Sequence, residues 1–220
     1  MINENVKSNE FINCSTPNHA YILGLLWADG HVTFSNNNAM TPIIKHTTKE
    51  DDFKEFKEII QKTGNWKYFH TKNIGSFTKK ENNMYINWTS NRKLGNFLIK
   101  NDYRCKNKSP FNILNKLNEI NKQLWFRGYF DGDGSITVIP KGHHSITFTG
   151  PKNQNWEFII DLYKKLNINN YKYRVISSRG GQSSQIRLSN KKEMLLLYFY
   201  LYKNYPKIGL TRKKEKFELL

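Results

Sequence analysis

Two nine-residue segments of this sequence each end in an acid followed by glycine. The first, ILGLLWADG, ends in Asp29-Gly30, and the second, FRGYFDGDG, ends in Asp133-Gly134. The two acids are 133 − 29 = 104 residues apart. Two carboxylates held side by side repel each other, whereas a hard divalent cation such as Mg²⁺ or Mn²⁺ neutralises both and prefers oxygen ligands. With a phosphate as the third partner, such a site can hydrolyse a phosphodiester bond.

Small residues in both segments predict how the two acids could meet. Gly24 and Ala28 are four residues apart, as are Gly128 and Gly132. This spacing puts each pair on one face of a helix, where small side chains let two helix backbones approach closely. We therefore expect the two helices to pack together with approximate twofold symmetry. The backbone carbonyls of Ala28 and Gly132 are candidate additional metal ligands, and each following glycine could end its helix with a positive φ.

The chain after each acid repeats the same order of elements. Two strand-like runs, an amphipathic segment, two further strands and an apolar helix follow each motif. The predicted fold is α+β, with two pseudo-symmetric α-β-β-α-β-β-α halves. Each half is a four-stranded antiparallel sheet backed by helices, and the halves pack through the motif helices. The predicted divisions are an N-terminal extension (1–20), a first half (21–105), a linker (106–123) and a second half (124–220).

The charge balance favours a polyanionic partner. With 35 Lys and Arg against 18 Asp and Glu, the formal net charge is +17. No apolar run reaches the ~18 residues that a membrane helix needs, so we expect no membrane partner. The first residues lack the apolar core of a secretory signal, and Cys14 and Cys105 form no CxxC pair. These features indicate an intracellular protein of a reducing compartment.

Strand alternation predicts a basic, amide- and hydroxyl-rich face on each sheet. Arg, Lys, Gln and Asn can read base edges in the major groove, and lysines that contact phosphates make binding salt-dependent. The predicted DNA-contacting residues of the first half are His31, Thr33, Lys45, Lys67, Lys72 and Asn87. Those of the second half are Thr137, Thr147, Lys172, Arg174, Gln185 and Arg187.

Both segments resemble the LAGLIDADG motif, which names a family of homing endonucleases, and the order of elements is similar from Tyr21 onward. The resemblance to single-chain, two-motif members implies a monomer that cleaves double-stranded DNA at a long asymmetric site. It implies that Asp29 and Asp133 bind the metals, that the two sheets are saddle-like and lie in the major groove, and that cleavage leaves 3′ overhangs. Trp27 stands where the motif has an acid, at a position that the resemblance implies is not the metal acid, and Arg127 replaces the small second residue of the motif.

The family also uses a basic residue late in each half, near each metal. The segment RCKNKS resembles a late NKS pattern and suggests Lys108, and LTRKK resembles a late L-x-R-K pattern and suggests Lys213. The repeat offset leaves the second assignment open between Arg212 and Lys213. Their expected role is to stabilise phosphate charge or to position water.

Two other functions remain open on the same fold. One is an RNA maturase that binds its host intron RNA without cutting DNA, and the other is a DNA-binding protein that does not cleave. Acids in both motifs favour the nuclease, because RNA binding does not need them. The host compartment stays undecided between an organelle (mitochondrion or chloroplast) and a phage or bacterial cytoplasm.

Overall fold

A computed structural model describes residues 4–35, 38–74, 81–139, 142–178, 181–203 and 208–220. The first half contains α1 (Glu4–Ile12), α2 (Pro17–Asp29), β1 (Gly30–Ser35), β2 (Asn38–Lys49), α3 (Glu50–Gln61), β3 (Lys67–Ile74), β4 (Glu81–Ser90) and α4 (Arg92–Lys100). The second part contains α5 (Phe111–Leu114), α6 (Glu119–Asp133), β5 (Gly134–Thr137), β6 (Ser145–Pro151), α7 (Glu157–Lys165), β7 (Tyr171–Ser178), β8 (Gly181–Leu188), α8 (Lys191–Tyr198), a π-helical turn (Phe199–Lys203) and α9 (Thr211–Glu218).

The strands form two antiparallel sheets with the same topology. Sheet A has the order β1-β2-β4-β3, and sheet B has the order β5-β6-β8-β7. The registers also correspond, because Gly30 pairs with His46 in sheet A and Gly134 pairs with Phe148 in sheet B. The predicted α+β fold with two pseudo-symmetric halves is confirmed.

The motif helices α2 and α6 pack backbone to backbone at the centre of the molecule. A Cβ atom added to Gly24 would lie 1.9 Å from the carbonyl oxygen of Trp125, and one added to Gly128 would lie 2.0 Å from that of Tyr21. Any side chain at these positions would therefore push the helices apart. The close crossing holds the C-terminal ends of both helices, and the acids there, at one place in the molecule.

The glycines that follow the acids serve close packing. Gly30 has φ −73° and Gly134 has φ −78°, so neither residue needs the left-handed region that the sequence suggested. A Cβ on Gly30 would lie 2.6 Å from the carbonyl oxygen of Leu26, and one on Gly134 would lie 2.2 Å from the ring of Phe130. Each helix consequently turns directly into the first strand of its sheet.

Several element bounds differ from the sequence prediction. The motif helices begin at Pro17 and Glu119, a few residues before the predicted divisions at 21 and 124. The segment Thr211–Glu218 forms a helix that the sequence did not predict, because its only buried residues are Lys213 and Phe217. Among the described residues, no helix is long and apolar enough to span a membrane.

Candidate active site

Asp29 and Asp133 are the last residues of α2 and α6, where the two helices touch. A Cβ on Gly132 would lie 2.3 Å from the Cβ of Ala28 and 3.1 Å from Oδ2 of Asp29. Burial, followed by the negative charge of Asp29, raises the pKa of Asp133 to about 7. Burial likewise raises the pKa of Asp29, although Lys106 and Lys213 oppose the rise. The fold thus brings an exposed carboxylate, Asp29, next to a partly buried one, Asp133, and their joint ionisation is costly.

This pair has the chemistry of a divalent-cation site. Neither carboxylate accepts a hydrogen bond from a described residue, so their oxygens are available to an external partner. A hard cation would relieve both the burial cost and the repulsion. The described residues contain no group of three or more His, Cys, Asp or Glu side chains that could hold a metal. Further ligands would have to be backbone, water or substrate oxygens.

Lys106 covers the end of the first motif helix. Its Nζ donates a hydrogen bond of 2.9 Å to the carbonyl oxygen of Ala28 and another to that of Gly30. An ammonium at the C-terminus of a helix complements the helix dipole. Burial lowers the pKa of Lys106 to about 8, while the charges of Asp133 and Asp29 oppose that fall.

The position of Lys106 corrects the prediction of Lys108. Lys108 is exposed and forms an ion pair of 2.8 Å with Asp102, away from the motif acids. Two turns, closed by the Cys105 N–H to the Asp102 carbonyl and the Lys108 N–H to the Cys105 carbonyl, direct the two lysines differently. The sequence offers two lysines separated by one residue, and only the turn geometry selects Lys106.

Lys213 covers the end of the second motif helix. Its buried Nζ donates to the carbonyl oxygens of Phe130 (2.6 Å), Asp131 (2.6 Å) and Gly134 (2.7 Å). Burial lowers its pKa to about 8. The structure therefore resolves the one-residue ambiguity by placing Lys213 beside the acids, while Arg212 binds Asp52. A catalytic role for Lys213 stays a prediction.

The two backbone carbonyls proposed as metal ligands have different surroundings. The carbonyl of Ala28 already accepts a hydrogen bond from the Lys106 ammonium. Because that positive charge opposes a cation on the same oxygen, Ala28 is not supported as a ligand. Gly132 lies against Asp29, and its carbonyl stays a predicted ligand.

A buried polar network holds the segment that carries Lys213. Asp131 accepts hydrogen bonds from the hydroxyls of Tyr21 (2.8 Å) and Tyr202 (2.5 Å) and from the N–H of Leu210 (2.9 Å). Arg127 donates from Nη1 to the carbonyl of Ile208 at 2.7 Å. Neither charged residue was assigned a role from the sequence, although an Asp and an Arg inside an apolar helix are a signal for a buried network.

An ion pair joins the two halves next to this segment. Arg212 contacts Asp52 of α3 through two hydrogen bonds, of which Nη2 to Oδ2 is 2.7 Å long. The N–H of Thr211 donates to Glu55 of the same helix at 2.9 Å. The first half therefore helps to position the second lysine.

The predicted DNA-contacting residues of the second half share one face of sheet B. Register places Thr147, Arg187 and Lys172 in one row across β6, β8 and β7. Gln185 and Arg174 lie in the next row on the same face, and Thr137 follows Ser135 and Ile136 on β5. None of these six side chains is fully buried. This surface, opposite the buried Ile186 and Leu188, is called the open face.

Four of the six first-half residues lie on the equivalent open face of sheet A. His31 pairs with Lys45, and Lys45 lies in the same row as Trp88 and Lys67. Thr33 follows His31 by two residues on the same face of β1. Their placement agrees with the predicted interface, and DNA contact stays a prediction.

Asn87 and Lys72 require correction. Asn87 is 1% exposed and donates to Oγ1 of Thr48 on the helix-facing side of sheet A. Lys72 is exposed, but it lies on the same face of β3 as Tyr68, four residues earlier, and the ring of Tyr68 contacts Phe53 of α3. Both lie on the face opposite Lys67. Alternation alone cannot tell which of the two faces of a strand is covered, because that depends on the register with its neighbours.

Comparisons with known proteins agree with this geometry. Residues 121–201 match the model of the LAGLIDADG-like domain. The uncharacterized protein MJ0314 of Methanocaldococcus jannaschii is 25% identical over 157 residues, which are 70% of this chain and 55% of that protein. The chain thus spans about half the length of this curated relative.

Solved structures show the same fold over nearly the whole chain. Variants of the homing endonuclease I-DmoI have a TM-score of 0.59 and 13% identity, covering 92% of this chain and 97% of theirs. I-SmaMI, bound to an uncleaved DNA target in the presence of calcium ions, has a TM-score of 0.53 and 11% identity, with coverages of 93% and 89%. The I-LtrWI LAGLIDADG homing endonuclease bound to target DNA has a TM-score of 0.51 and 17% identity, with coverages of 95% and 88%.

Fold and site together define a class: a duplicated α+β protein with two motif helices that present one acid each. The resemblance seen in the motifs is confirmed by the match of residues 121–201 to the LAGLIDADG-like domain and by the fold shared with LAGLIDADG structures.

Proposed function

We propose that this chain is a site-specific endonuclease that hydrolyses both strands of DNA with a divalent cation. The observation that carries the proposal is the meeting of Asp29 and Asp133 at the ends of α2 and α6, flanked by Lys106 and Lys213. A pair of acids beside one partly buried and one buried ammonium group suits charge development on phosphate oxygens. Cleavage at a long asymmetric site with 3′ overhangs forms part of the proposal.

The residues present fit Mg²⁺ or Mn²⁺ held by Asp29 and Asp133. Such an ion, when bound, would activate water and polarise the phosphate. The protein's own contribution is positional. Asp29 and Asp133 supply fixed negative oxygens, and Lys106 and Lys213 place positive charge where a phosphate would approach. The calcium present with I-SmaMI and its DNA supports divalent-cation use on this fold.

Double-stranded DNA is the proposed partner of the two open faces. Both motif helices lead directly into β1 and β5, so the open faces begin beside the acids. The +17 net charge favours DNA phosphates and predicts binding that weakens steeply with salt. We propose that one chain acts as a monomer, because it already contains two pseudo-symmetric halves.

Cleavage of a randomised DNA library, or of host sequence flanking the gene, tests the proposal. Wild type with Mg²⁺ should cut one long site, whereas EDTA, Asp29→Asn or Asp133→Asn should abolish double-strand cleavage and leave binding. Retained cleavage in either variant would remove the metal-site assignment. Salt-sensitive binding to a folded intron RNA without any DNA cleavage would move the protein to the maturase function.

A further inference from the structure

The open faces of the two sheets differ in chemistry at equivalent positions. Because Gly30–His46 and Gly134–Phe148 are matching pairs, each position of sheet A has a counterpart in sheet B. The first matching rows are Lys45–Trp88–Lys67 in sheet A and Thr147–Arg187–Lys172 in sheet B. The second matching rows are Thr47–Ile86–Phe69 and Thr149–Gln185–Arg174. In these two rows the apolar residues Trp88, Ile86 and Phe69 of sheet A correspond to polar residues of sheet B, whereas in the next row Thr71 corresponds to the apolar Ile176.

The open face of β4 and of the edge strand β3 carries an apolar strip, defined as Phe69, Met84, Ile86 and Trp88. Phe69 is 48% exposed, and the other three are partly exposed. The Nζ of Lys67 lies 5.1 Å from the centre of the Trp88 ring, so the strip is bordered by positive charge. Lysine also lies on its other side, at Lys45.

The open face of β8 and of the edge strand β7 carries a polar strip, defined as Arg174, Ser183, Gln185 and Arg187. The Nε2 of Gln185 donates to Oγ1 of Thr149 at 3.1 Å, which orients the amide across the open face. The Nε of Arg187 has no hydrogen-bond partner within the described chain. This strip offers directional donors where sheet A offers apolar surface.

The major groove presents a distinct partner for each strip. The 5-methyl group of thymine contacts apolar side chains, whereas the O6 and N7 atoms of guanine accept paired hydrogen bonds from arginine. We infer that the half-site under sheet A is rich in T·A pairs read through thymine methyl groups, and that the half-site under sheet B contains guanines read by Arg187 and Arg174. This inference rests on the proposed function.

The lysines that flank the apolar strip favour DNA over a protein as its partner. Lys45 and Lys67 lie in one row on both sides of Trp88, and Lys49 of β2 lies beside Met84. A polyanion satisfies these charges while its base edges cover the apolar residues between them. The matching face of sheet B carries Lys172 and Arg174 and starts beside the same pair of acids. One duplex can therefore cover both strips.

Uracil substitution tests the inference without changing the protein. Sites would first be selected by binding from a randomised library, and thymines would then be replaced by uracil in one half-site at a time. Loss of the methyl group should weaken binding about fourfold for each contacted thymine under sheet A, as expected for burial of one methyl-sized group. The same replacement under sheet B should change the dissociation constant less than twofold.

A matched pair of variants assigns the effect to the strips. Ile86→Gln installs the residue found at the equivalent position of sheet B, and it should remove the uracil effect of the thymine that Ile86 contacts. Gln185→Ala, in the polar strip, should leave the uracil effect in the other half-site intact. The unfolding temperature of each variant is the control, and it should stay close to that of wild type because both positions are partly exposed.

The outcomes separate the two proposals. Selected sites without a T·A bias under sheet A, or equal sensitivity of both half-sites to uracil, would overturn the inference while leaving the nuclease intact. DNA binding that is indifferent to Ile86→Gln would also overturn it and would make the apolar strip a surface for a protein partner. Failure to bind any DNA would instead remove the proposed function.

Discussion

Lys106 and Lys213 occupy similar places at the ends of two equivalent helices, but the chain holds them there by different means. The segment leading to Lys106 is anchored by Tyr103, whose hydroxyl donates to the carbonyl of Leu23 at 3.1 Å. The ring of Tyr103 packs edge-on against Trp27 at 5.0 Å. The segment leading to Lys213 is instead anchored by the buried carboxylate of Asp131.

The contrast is concentrated at one pair of equivalent positions, because Trp27 and Asp131 differ by the repeat offset of 104 residues. An aromatic anchor depends on shape and tolerates small changes in the packing around it. A buried carboxylate stabilises only while each of its partners is present, since an unmatched buried charge or donor is expensive. The two halves should therefore respond differently to conservative substitutions.

Removal of either anchored lysine should have the largest effect. Lys106→Met and Lys213→Met keep side-chain length but remove the charge beside the acids, and each should lower the cleavage rate about 100-fold or more. Single-turnover cleavage of a plasmid that carries the selected site measures the loss. Lys108→Met is the matched control, because Lys108 is exposed and forms an ion pair with Asp102. A loss with Lys108→Met as large as that with Lys106→Met would refute the structural assignment.

Asp131→Asn should be the most damaging change to folding stability. The amide would place donors against the Tyr21 and Tyr202 hydroxyls and the Leu210 N–H, which all donate to the carboxylate. We expect a loss of about 2–4 kcal/mol in the free energy of unfolding. Trp27→Phe, at the equivalent position, should cost about 1–2 kcal/mol. Urea unfolding compares the two, and a larger loss for Trp27→Phe would reverse the proposed contrast.

The same contrast explains what the sequence could predict. The motif spacing, the small residues on one helix face and the repeated element order are local patterns, and they predicted the fold and the position of both acids. The anchors of the lysines join residues far apart in sequence, such as Tyr103 with Leu23 and Asp131 with Leu210. No periodicity encodes such contacts, so Lys106 was missed in favour of Lys108.

The sheets show the same limit, because alternation along a strand does not by itself tell which face is covered. Alternation correctly grouped Lys172 with Arg174 and Gln185 with Arg187, because the buried Ile186 and Leu188 identify the covered face. On β4, Asn87 lies on the face that the helices cover, whereas the apolar Ile86 and Trp88 lie on the open face. Asn87 is buried there by its hydrogen bond to Thr48. A polar residue on a covered face cannot be recognised without its partner.

Ionisation of Asp133 should destabilise the folded protein, and the effect should depend on pH. The folded pKa of Asp133 is about 7, against 3.8 ordinarily, so the folded state keeps a proton that the unfolded state has lost between about pH 4 and 7. The stability of the metal-free protein should therefore fall as the pH rises through this window. Asp133→Asn cannot ionise, so it should be more stable than wild type by about 2 kcal/mol at pH 8 and equal to it at pH 4.

Thermal unfolding in EDTA at both pH values measures this difference. Excess Mg²⁺ at pH 8 should raise the unfolding temperature of wild type and leave that of Asp133→Asn nearly unchanged. A variant that is less stable than wild type at pH 8 in EDTA would show that Asp133 stabilises the fold without a cation, which contradicts the raised pKa.

The smallest effect is expected from loss of the ion pair between Asp52 of the first half and Arg212, the residue before Lys213. Asp52→Asn removes the charge that binds Arg212 just before Lys213, and it should lower stability by about 1 kcal/mol, because Arg212 remains partly exposed. Asp51→Asn is the matched control, since Asp51 is an exposed acid in the same first turn of α3. If the ion pair positions α9, Asp52→Asn should also slow the cleavage step without weakening DNA binding. Equal rates for the two variants would mean that the polar anchor at Asp131 is sufficient to hold Lys213 in place.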